Sequence, residues 1–276
     1  MIKLNKPLIV DIKRNSYEDG PGIRTTIFFK GCPLSCIWCH NPECQSMDAE
    51  IGFFQKRCIS CFECERVCKN NAITRDASRV IRSKCNLCFS CVDACPGKAI
   101  QRIGRYYEID ELLEIILRDE VFYKTSNGGI TLSGGEPTLF PEYINPLLIR
   151  LKEKNIHIAI QTSGFFEYSI FKKKIFPYLN LCLFDVKVIN PDLHKKYTGR
   201  DNKKILENLM LLSKENITLI ARTPIIPGFT DGENILAIKG FLSSLSIKDY
   251  VLLPYNPLGV FKNILKINYS QHTKSS

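Results

Sequence analysis

Eleven of the 13 cysteines in this chain fall into three runs of regular spacing, and thiol chemistry is the first thing the sequence offers. The first run is GCPLSCIWCH, with Cys32, Cys36 and Cys39 in a Cys-x3-Cys-x2-Cys pattern directly behind a β-like segment, IRTTIFFK. Three thiolates on one tight loop can face a single 4Fe–4S cluster, whose four irons need four ligands; the missing ligand leaves one iron open to an exogenous group. Catalytic zinc sites keep an open position for the same reason. The competing readings are a zinc site completed by His40 or Cys44, and reduced cysteines that only pack. Zinc sites pair cysteines as two Cys-x2–4-Cys knuckles, and His40 beside Cys39 is awkwardly placed to close one. The spacing therefore favours the cluster.

The other eight cysteines form two like runs: Cys58, Cys61, Cys64, Cys68, and Cys85, Cys88, Cys91, Cys95. Each is Cys-x2-Cys-x2-Cys-x3-Cys, the bacterial ferredoxin run, in which the fourth cysteine of each set ligates the other cluster. By that rule Cys58, Cys61, Cys64 and Cys95 hold one 4Fe–4S cluster, and Cys85, Cys88, Cys91 and Cys68 hold another. Two zinc sites are the alternative, which the duplicated spacing disfavours. The second run ends in Pro96 as the pattern often does, whereas Lys69 stands at the corresponding place in the first. The expected role of these clusters is electron relay. Cys44 and Cys182 lie outside the runs and read as unligated thiols.

The surrounding composition agrees with a reducing location. The start, MIKLNKPLIVDIKR, has too short an apolar run for a signal peptide, and no stretch approaches a membrane span. The expected compartment is the cytoplasm, where clustered cysteines bind metal or do redox chemistry instead of forming disulfides. The formal net charge of +10 comes from lysines scattered without aromatic interleaving, which gives little support to a nucleic-acid surface. No hydrolytic triad or acid/base pair of carboxylates stands out, and His157, His194 and His272 read as ordinary strand, helix and tail residues.

A scaffold must hold these runs. Residues 45–103 hold the eight-cysteine pair of runs with little helical periodicity, and read as a ferredoxin-like insert in a domain made of residues 1–44 and 104–276. Leu112, Leu113, Ile116 and Leu117 form a helical stripe with Asp110 as its cap. Beyond it, strands at Gly129–Leu132, Ile156–Thr162, Leu181–Val186, Ile217–Thr223 and Tyr250–Leu253 alternate with helices near 141–154, 167–175, 201–214 and 233–245. With the strand at 23–30 that makes six units, mostly apolar on both faces as buried parallel strands are. The expected fold is α/β, a partial (β/α)6 barrel, with ligands at the carboxyl ends of its strands.

With this context, the three-cysteine loop, with Trp38 just before its last cysteine, resembles the signature of the radical S-adenosylmethionine superfamily. SGGEP (133–137) resembles that superfamily's motif for the methionine amino group. EDGPGIRTT, SCIWCHNPE, DVK (185–187), ARTPIIPGFTD (221–231) and the eight-cysteine insert together resemble the glycyl-radical-enzyme activating enzymes, over residues 11 to 260. The resemblance implies a protein that cleaves S-adenosylmethionine reductively and uses the 5′-deoxyadenosyl radical to remove hydrogen from a backbone glycine of a partner enzyme. It implies catalysis at Cys32, Cys36, Cys39 and Lys187. It implies cosubstrate contacts from Trp38, Cys39, His40, Gly134, Gly135, Glu136, Asp185, Val186, Lys187, Arg222 and Asn256. Glu136 would accept from the ammonium, Trp38 would pack on adenine, and Asp19, Gly20 and Gly22 would lie near the incoming glycine loop. Plainer roles remain open: Asp185 capping a helix, Lys187 solvated, Arg222 paired with Glu136. The implied partners are a glycyl radical enzyme and a flavodoxin- or ferredoxin-type electron donor, with no membrane. Two residues depart from the pattern: Asn256 stands where histidine is frequent, and Gln161 where an acid is common. The chain also ends soon after its last strand, in a polar tail at Gln271–Ser276. The rival functions are a radical enzyme acting on a small molecule or RNA, and an electron-transfer iron–sulfur protein.

Overall fold

The computed structural model describes residues 6–255 apart from Ala77, so the expectations for Asn256, His272 and the tail lie outside the described residues. Two antiparallel strands open the fold, β1 (Ile9–Ser16) and β2 (Arg24–Phe29). The chain then leaves the sheet through β3 (Glu50–Phe53), the short helices α1 (Glu63–Arg66) and α2 (Ser90–Asp93), and β4 (Ile100–Ile103). Helices α3 (Ile109–Leu117) and α4 (Glu120–Ser126) lead back into β5 (Gly129–Gly134). Alternation follows through α5 (Pro141–Glu153), β6 (His157–Thr162), α6 (Tyr168–Lys174), β7 (Leu181–Asp185), α7 (Pro191–Thr198), α8 (Lys203–Leu212), β8 (Thr218–Pro224), α9 (Glu233–Ser244) and β9 (Tyr250–Leu253).

Strands β2, β5, β6, β7, β8 and β9 are parallel neighbours in chain order, and β1 adds an antiparallel edge. This is an α/β fold, an open barrel with six parallel strands among the described residues. The six expected strands and the four expected helices beyond β5 are present, with ends within two residues. The sequence reading missed β1, whose alternating exposure belongs to an edge strand wetted on one face. It also misplaced a cap: Glu108 precedes α3, while Asp110 sits inside the first turn and pairs with Arg150.

The period of two along each strand divides the sheet into two different faces. Ile27, Phe29, Ile130, Leu132, Ile158, Ile160 and Phe184 point toward the helices and form the main core. On the other face, Ala159, Leu181, Leu183 and Ile220 make a small apolar patch, and polar side chains take over toward the carboxyl ends of the strands. That polar end is where the site assembles.

The excursion between β2 and β5 packs around its own core of Ile51, Phe53, Ile73, Val80, Ala99 and Ile100 together with the cysteines. Its backbone repeats every 27 positions, the spacing of Cys58 from Cys85. Ser60, Phe62 and Asn71 are left-handed, and so are their counterparts Leu87, Phe89 and Lys98. Lys30, fully buried at the end of β2, ties the barrel to this module through Glu50 Oε2 (2.5 Å) and the Glu43 carbonyl (2.7 Å). Among the described residues no helix is long and apolar enough to cross a membrane.

Candidate functional site

The three-cysteine loop springs from the carboxyl end of β2 and is held from two sides. Gly31 N–H donates to the Cys44 carbonyl (2.8 Å) and Cys32 N–H to that of Gln45 (3.0 Å). Across the barrel mouth, Ser35 and Ile37 donate to the Thr198 and Tyr197 carbonyls at the end of α7 (2.8 and 3.0 Å). Burial pushes the Cys32 thiol well up, brings Cys36 up to about 12, and raises Cys39; their mutual repulsion adds to each of the first two. Three half-buried thiols gathered on one loop are costly as free thiolates, but metal–sulfur bonding removes that cost. The donor set therefore fits the iron–sulfur centre expected from its spacing.

The charged groups facing this loop come from the ends of β7 and β8. Asp185 Oδ1 accepts from Arg222 Nη2 (2.8 Å) and Nε (3.1 Å), and its Oδ2 accepts from Lys187 Nζ (3.0 Å). Arg222 thus pairs with Asp185, not with Glu136. Burial alone would raise the Asp185 carboxyl, but Arg222 and Lys187 outweigh it and hold it below the usual range. Lys187 is held above its usual range: burial opposes its charge, yet Asp185 and the thiols of Cys36 and Cys32 prevail. One anion and two cations leave a net positive charge beside the thiols. Between them, Val186 is buried, its N–H donating to the Arg222 carbonyl (2.9 Å).

Gly134 and Gly135 bring the end of β5 against the cysteine loop. Gly134 has φ +104°, and a Cβ on Gly135 would sit 2.0 Å from the Gly31 carbonyl oxygen and 2.5 Å from that of Cys44. The Glu136 N–H closes the contact by donating to Gly31 O (2.7 Å). The Glu136 side chain is fully buried and accepts from Thr138 Oγ1, Thr162 Oγ1, Ser163 N and Ser163 Oγ at 2.6–2.8 Å. Burial pushes this carboxyl up, against the pull of those donors. Its four acceptor positions are all taken up within the chain. Trp38 joins an aromatic group with Tyr197 and Phe229, each centroid 5.9 Å away, while His40 is exposed.

Asp19 lies on the polar face of the sheet. It accepts from Ser16 Oγ (2.5 Å), Thr26 Oγ1 (2.7 Å) and Gln161 Nε2 (2.9 Å), and Gln161 in turn accepts from Ser133 Oγ (2.5 Å). Gly22 is left-handed, and a Cβ there would lie 2.5 Å from backbone at Ser126 and Gly128. Sequence reasoning missed the residue that secures this loop. Arg24 is fully buried, donates to Thr131 Oγ1 (2.6 Å) and the Pro21 carbonyl (3.0 Å), and is brought down to about 10 by burial. A lone arginine inside a strand of apolar and threonine residues was the available signal.

In the cysteine module, two apolar clefts lie between the thiol runs. One is rimmed by Cys58, Cys61, Cys64 and Cys95; the other by Cys68, Cys85, Cys88 and Cys91. Among the described residues no three His, Cys, Asp or Glu side chains converge on one point as a single metal ion requires. A cluster spreads its ligands around a volume, which suits these clefts. Arg79, which lines the first cleft, was not foreseen. Burial pushes Cys64 up with Arg79 the main opposing influence, whereas Cys91 rises to about 12 through burial and neighbouring thiols alone.

An open α/β barrel with a three-thiol loop and a charged triad at the carboxyl ends of its strands defines an enzyme that pairs a metal–sulfur centre with a small charged cosubstrate. Comparison with known proteins sharpens this. Residues 26–239 match the radical SAM superfamily. Over 262 residues the chain is 39% identical to the trans-4-hydroxy-L-proline dehydratase activating enzyme of Clostridioides difficile, covering 93% of this chain and 86% of that protein. It is equally similar, at 39% over 262 residues, to the isethionate sulfite-lyase activating enzyme of Nitratidesulfovibrio vulgaris strain Hildenborough, covering 91% and 85%. A crystallised domain of pyruvate-formate lyase-activating enzyme from Bacteroides vulgatus aligns with a TM-score of 0.42 at 25% identity, covering 51% of this chain and 94% of that one. The chain belongs to the radical SAM superfamily and, within it, to the glycyl-radical-enzyme activating enzymes. That membership implies a 4Fe–4S cluster and S-adenosylmethionine. The two relatives are named for different partners at the same identity, so likeness alone does not choose this chain's partner.

Proposed function

We propose that this chain activates a glycyl radical enzyme by removing a hydrogen atom from one backbone glycine, and that it holds three 4Fe–4S clusters, one on Cys32, Cys36 and Cys39 and two in the cysteine module. When bound, the first cluster and S-adenosylmethionine supply one-electron cleavage of a sulfonium C–S bond, giving methionine and a 5′-deoxyadenosyl radical. The chain's own groups bind and orient. Lys187 and Arg222 offer positive charge to the methionine carboxylate, Asp185 is the acceptor for the ribose end, and Gly134 and Gly135 let backbone approach the ammonium. Trp38, with Tyr197 and Phe229, gives the adenine an aromatic surface. Asp19, Gly20 and Gly22 meet the partner's glycine loop on the polar face of the sheet.

The observation that carries this reading is the Asp185–Arg222–Lys187 triad at the ends of β7 and β8, tied to the thiol loop where the Thr198 and Tyr197 carbonyls of α7 accept from Ser35 and Ile37 N–H, which supports a charged cosubstrate lying between thiol loop and triad. The two clefts support relay clusters fed by a flavodoxin- or ferredoxin-type donor, and oxygen-sensitive centres of this kind suit the cytoplasm. Anaerobic mixing with the partner, S-adenosylmethionine and a reductant should produce a glycyl radical signal in electron paramagnetic resonance. Cosubstrate cleavage with no such signal would reject the role. Oxygen-free protein should contain about 12 irons, against about 4 for a single cluster.

A further inference from the structure

The 27-residue repeat gives almost every side chain around one cleft a counterpart around the other: Phe62 with Phe89, Ala99 with Ala72, Ile100 with Ile73. The pairing extends to the backbone, where the Phe53–Ile100 pair of the β3–β4 ladder matches the isolated bridge between Val80 and Ile73. Arg79 breaks the symmetry. Its counterpart 27 positions earlier is Gly52, which has no side chain, and the apolar Ile51 lines the second cleft instead.

Arg79 is 6% exposed and lies over the rings of Phe53 and Phe62, 4.9 and 5.3 Å from their centroids. Its Nη2 donates to Cys58 Sγ (3.6 Å) and its Nη1 to the Thr74 carbonyl (3.3 Å). Arg66 and Arg75 nearby are paired with Glu63 and Glu65. Arg79 has no carboxylate partner among the described residues, and its Nε is buried with no hydrogen-bond partner among them. Its backbone is left-handed at φ +58°, which a long side chain seldom adopts. A buried cation with a spare donor, in a strained conformation at the rim of a thiol-lined cleft, is placed to meet negative charge inside that cleft.

Reduction adds one negative charge to an iron–sulfur centre, so a fixed cation and an N–H···S bond stabilise the reduced form more than the oxidised one. Burial in an apolar cleft strengthens that difference. We infer that Arg79 sets the reduction potential of the centre held by Cys58, Cys61, Cys64 and Cys95 above that of the centre held by Cys68, Cys85, Cys88 and Cys91, so that a low-potential one-electron donor reduces the first before the second. This rests on the two-cluster reading of the module. In the step, one electron leaves the donor and resides on the first centre; no bond is made or broken, and no proton moves.

The test is a redox titration of the full chain with all clusters loaded, followed by electron paramagnetic resonance. The wild-type protein should show two separated module potentials, and Cys88→Ala, which disrupts the second set, should retain the higher. Arg79→Met should weaken the first centre's hold on its electron about tenfold, a fall of about 59 mV for one electron, with the second unmoved. Arg79→Lys, which keeps the charge, should restore at least half of that shift. Coincident wild-type potentials overturn the inference, and so does an unmoved potential in Arg79→Met at full iron content. If Arg79→Met fails to hold iron, Arg79→Lys and Arg79→Gln decide between the outcomes: similar potentials in those two overturn the inference, and a lower one in Arg79→Gln supports it. About 4 irons in the wild-type protein would remove the two-cluster reading itself, which separates the two failures.

Discussion

Substituting Glu136 separates two roles for a buried carboxylate at this site: holding the loops together, or gripping the cosubstrate. Four donors converge on it from Thr138, Thr162 and Ser163, at 2.6–2.8 Å. Three are hydroxyls that can turn to other partners, but Ser163 N–H cannot reorient. Leaving a buried donor unsatisfied costs about 1–3 kcal/mol, and the cavity left by the side chain adds to that. Glu136→Ala should therefore lose about 3–5 kcal/mol, below the sum of four separate bonds because they share one group. Glu136→Gln keeps an oxygen for Ser163 N–H and should lose only about 1–2 kcal/mol. Denaturant unfolding followed by circular dichroism measures the stability, and calorimetry of S-adenosylmethionine binding runs beside it. If the carboxylate is a loop clamp, Glu136→Gln binds the cosubstrate within about threefold of wild type, a difference under 1 kcal/mol. Undiminished stability combined with tenfold weaker binding would refute the clamp and hand the carboxylate to the ammonium.

Gly135→Ala should destabilise by about 3 kcal/mol or more, because the new methyl would stand 2.0 Å from a backbone oxygen that cannot yield; thermal unfolding measures it. Asp185 contributes stability that is full above its ordinary value of 3.8 and is lost as pH falls through its lower native value; Asp185→Asn should flatten this acid limb of the stability curve. Cys36→Ala should abolish cosubstrate cleavage while keeping about 8 irons in the module, read by iron analysis. Stripping iron with a chelator should open the cysteine module to protease between residues 50 and 103 and spare the barrel, because the module's core is a few aliphatic side chains completed by cysteines. Mass mapping of the cleavage sites checks this.

The parallel strands were legible because burial on both faces writes them as unbroken apolar runs, and the cysteine runs because metal ligation demands fixed spacing. β1 was hidden, since an edge strand carrying Asp11, Lys13 and Arg14 has only half such a pattern. Helices α4 and α7 were hidden by brevity; α7 owes its limits to local chemistry, with Asn190 Oδ1 accepting from Asp192 and Leu193 N–H (3.0 Å each) and Gly199 left-handed at φ +80°. At the site, spacing could name Asp185 and Arg222 but not pair them, because the pairing depends on the register of β7 against β8, where Asp185 stands opposite Arg222. Arg79 was invisible for the opposite reason: its meaning lies in a broken symmetry that appears only when the two halves of the module are superposed.

One continuous piece of chain, residues 181–199, fixes the relation between thiols and charges. β7 delivers Asp185 at its end, and Lys187 follows two residues later. The capped helix α7 begins at Pro191 and stops at Thr198, where its last carbonyls accept from Ser35 and Ile37 N–H in the cysteine loop. Gly199 passes so close that a Cβ would lie 2.4 Å from Ser35 Oγ. The placement of the Lys187 backbone relative to the cysteine loop is therefore set by the end of β7, the short helix α7 and two backbone hydrogen bonds. Such rigidity matters at a reaction site, because a small misplacement of reacting atoms costs large factors in rate. The α7 cap thus helps fix how the cysteine loop lies against the end of β7.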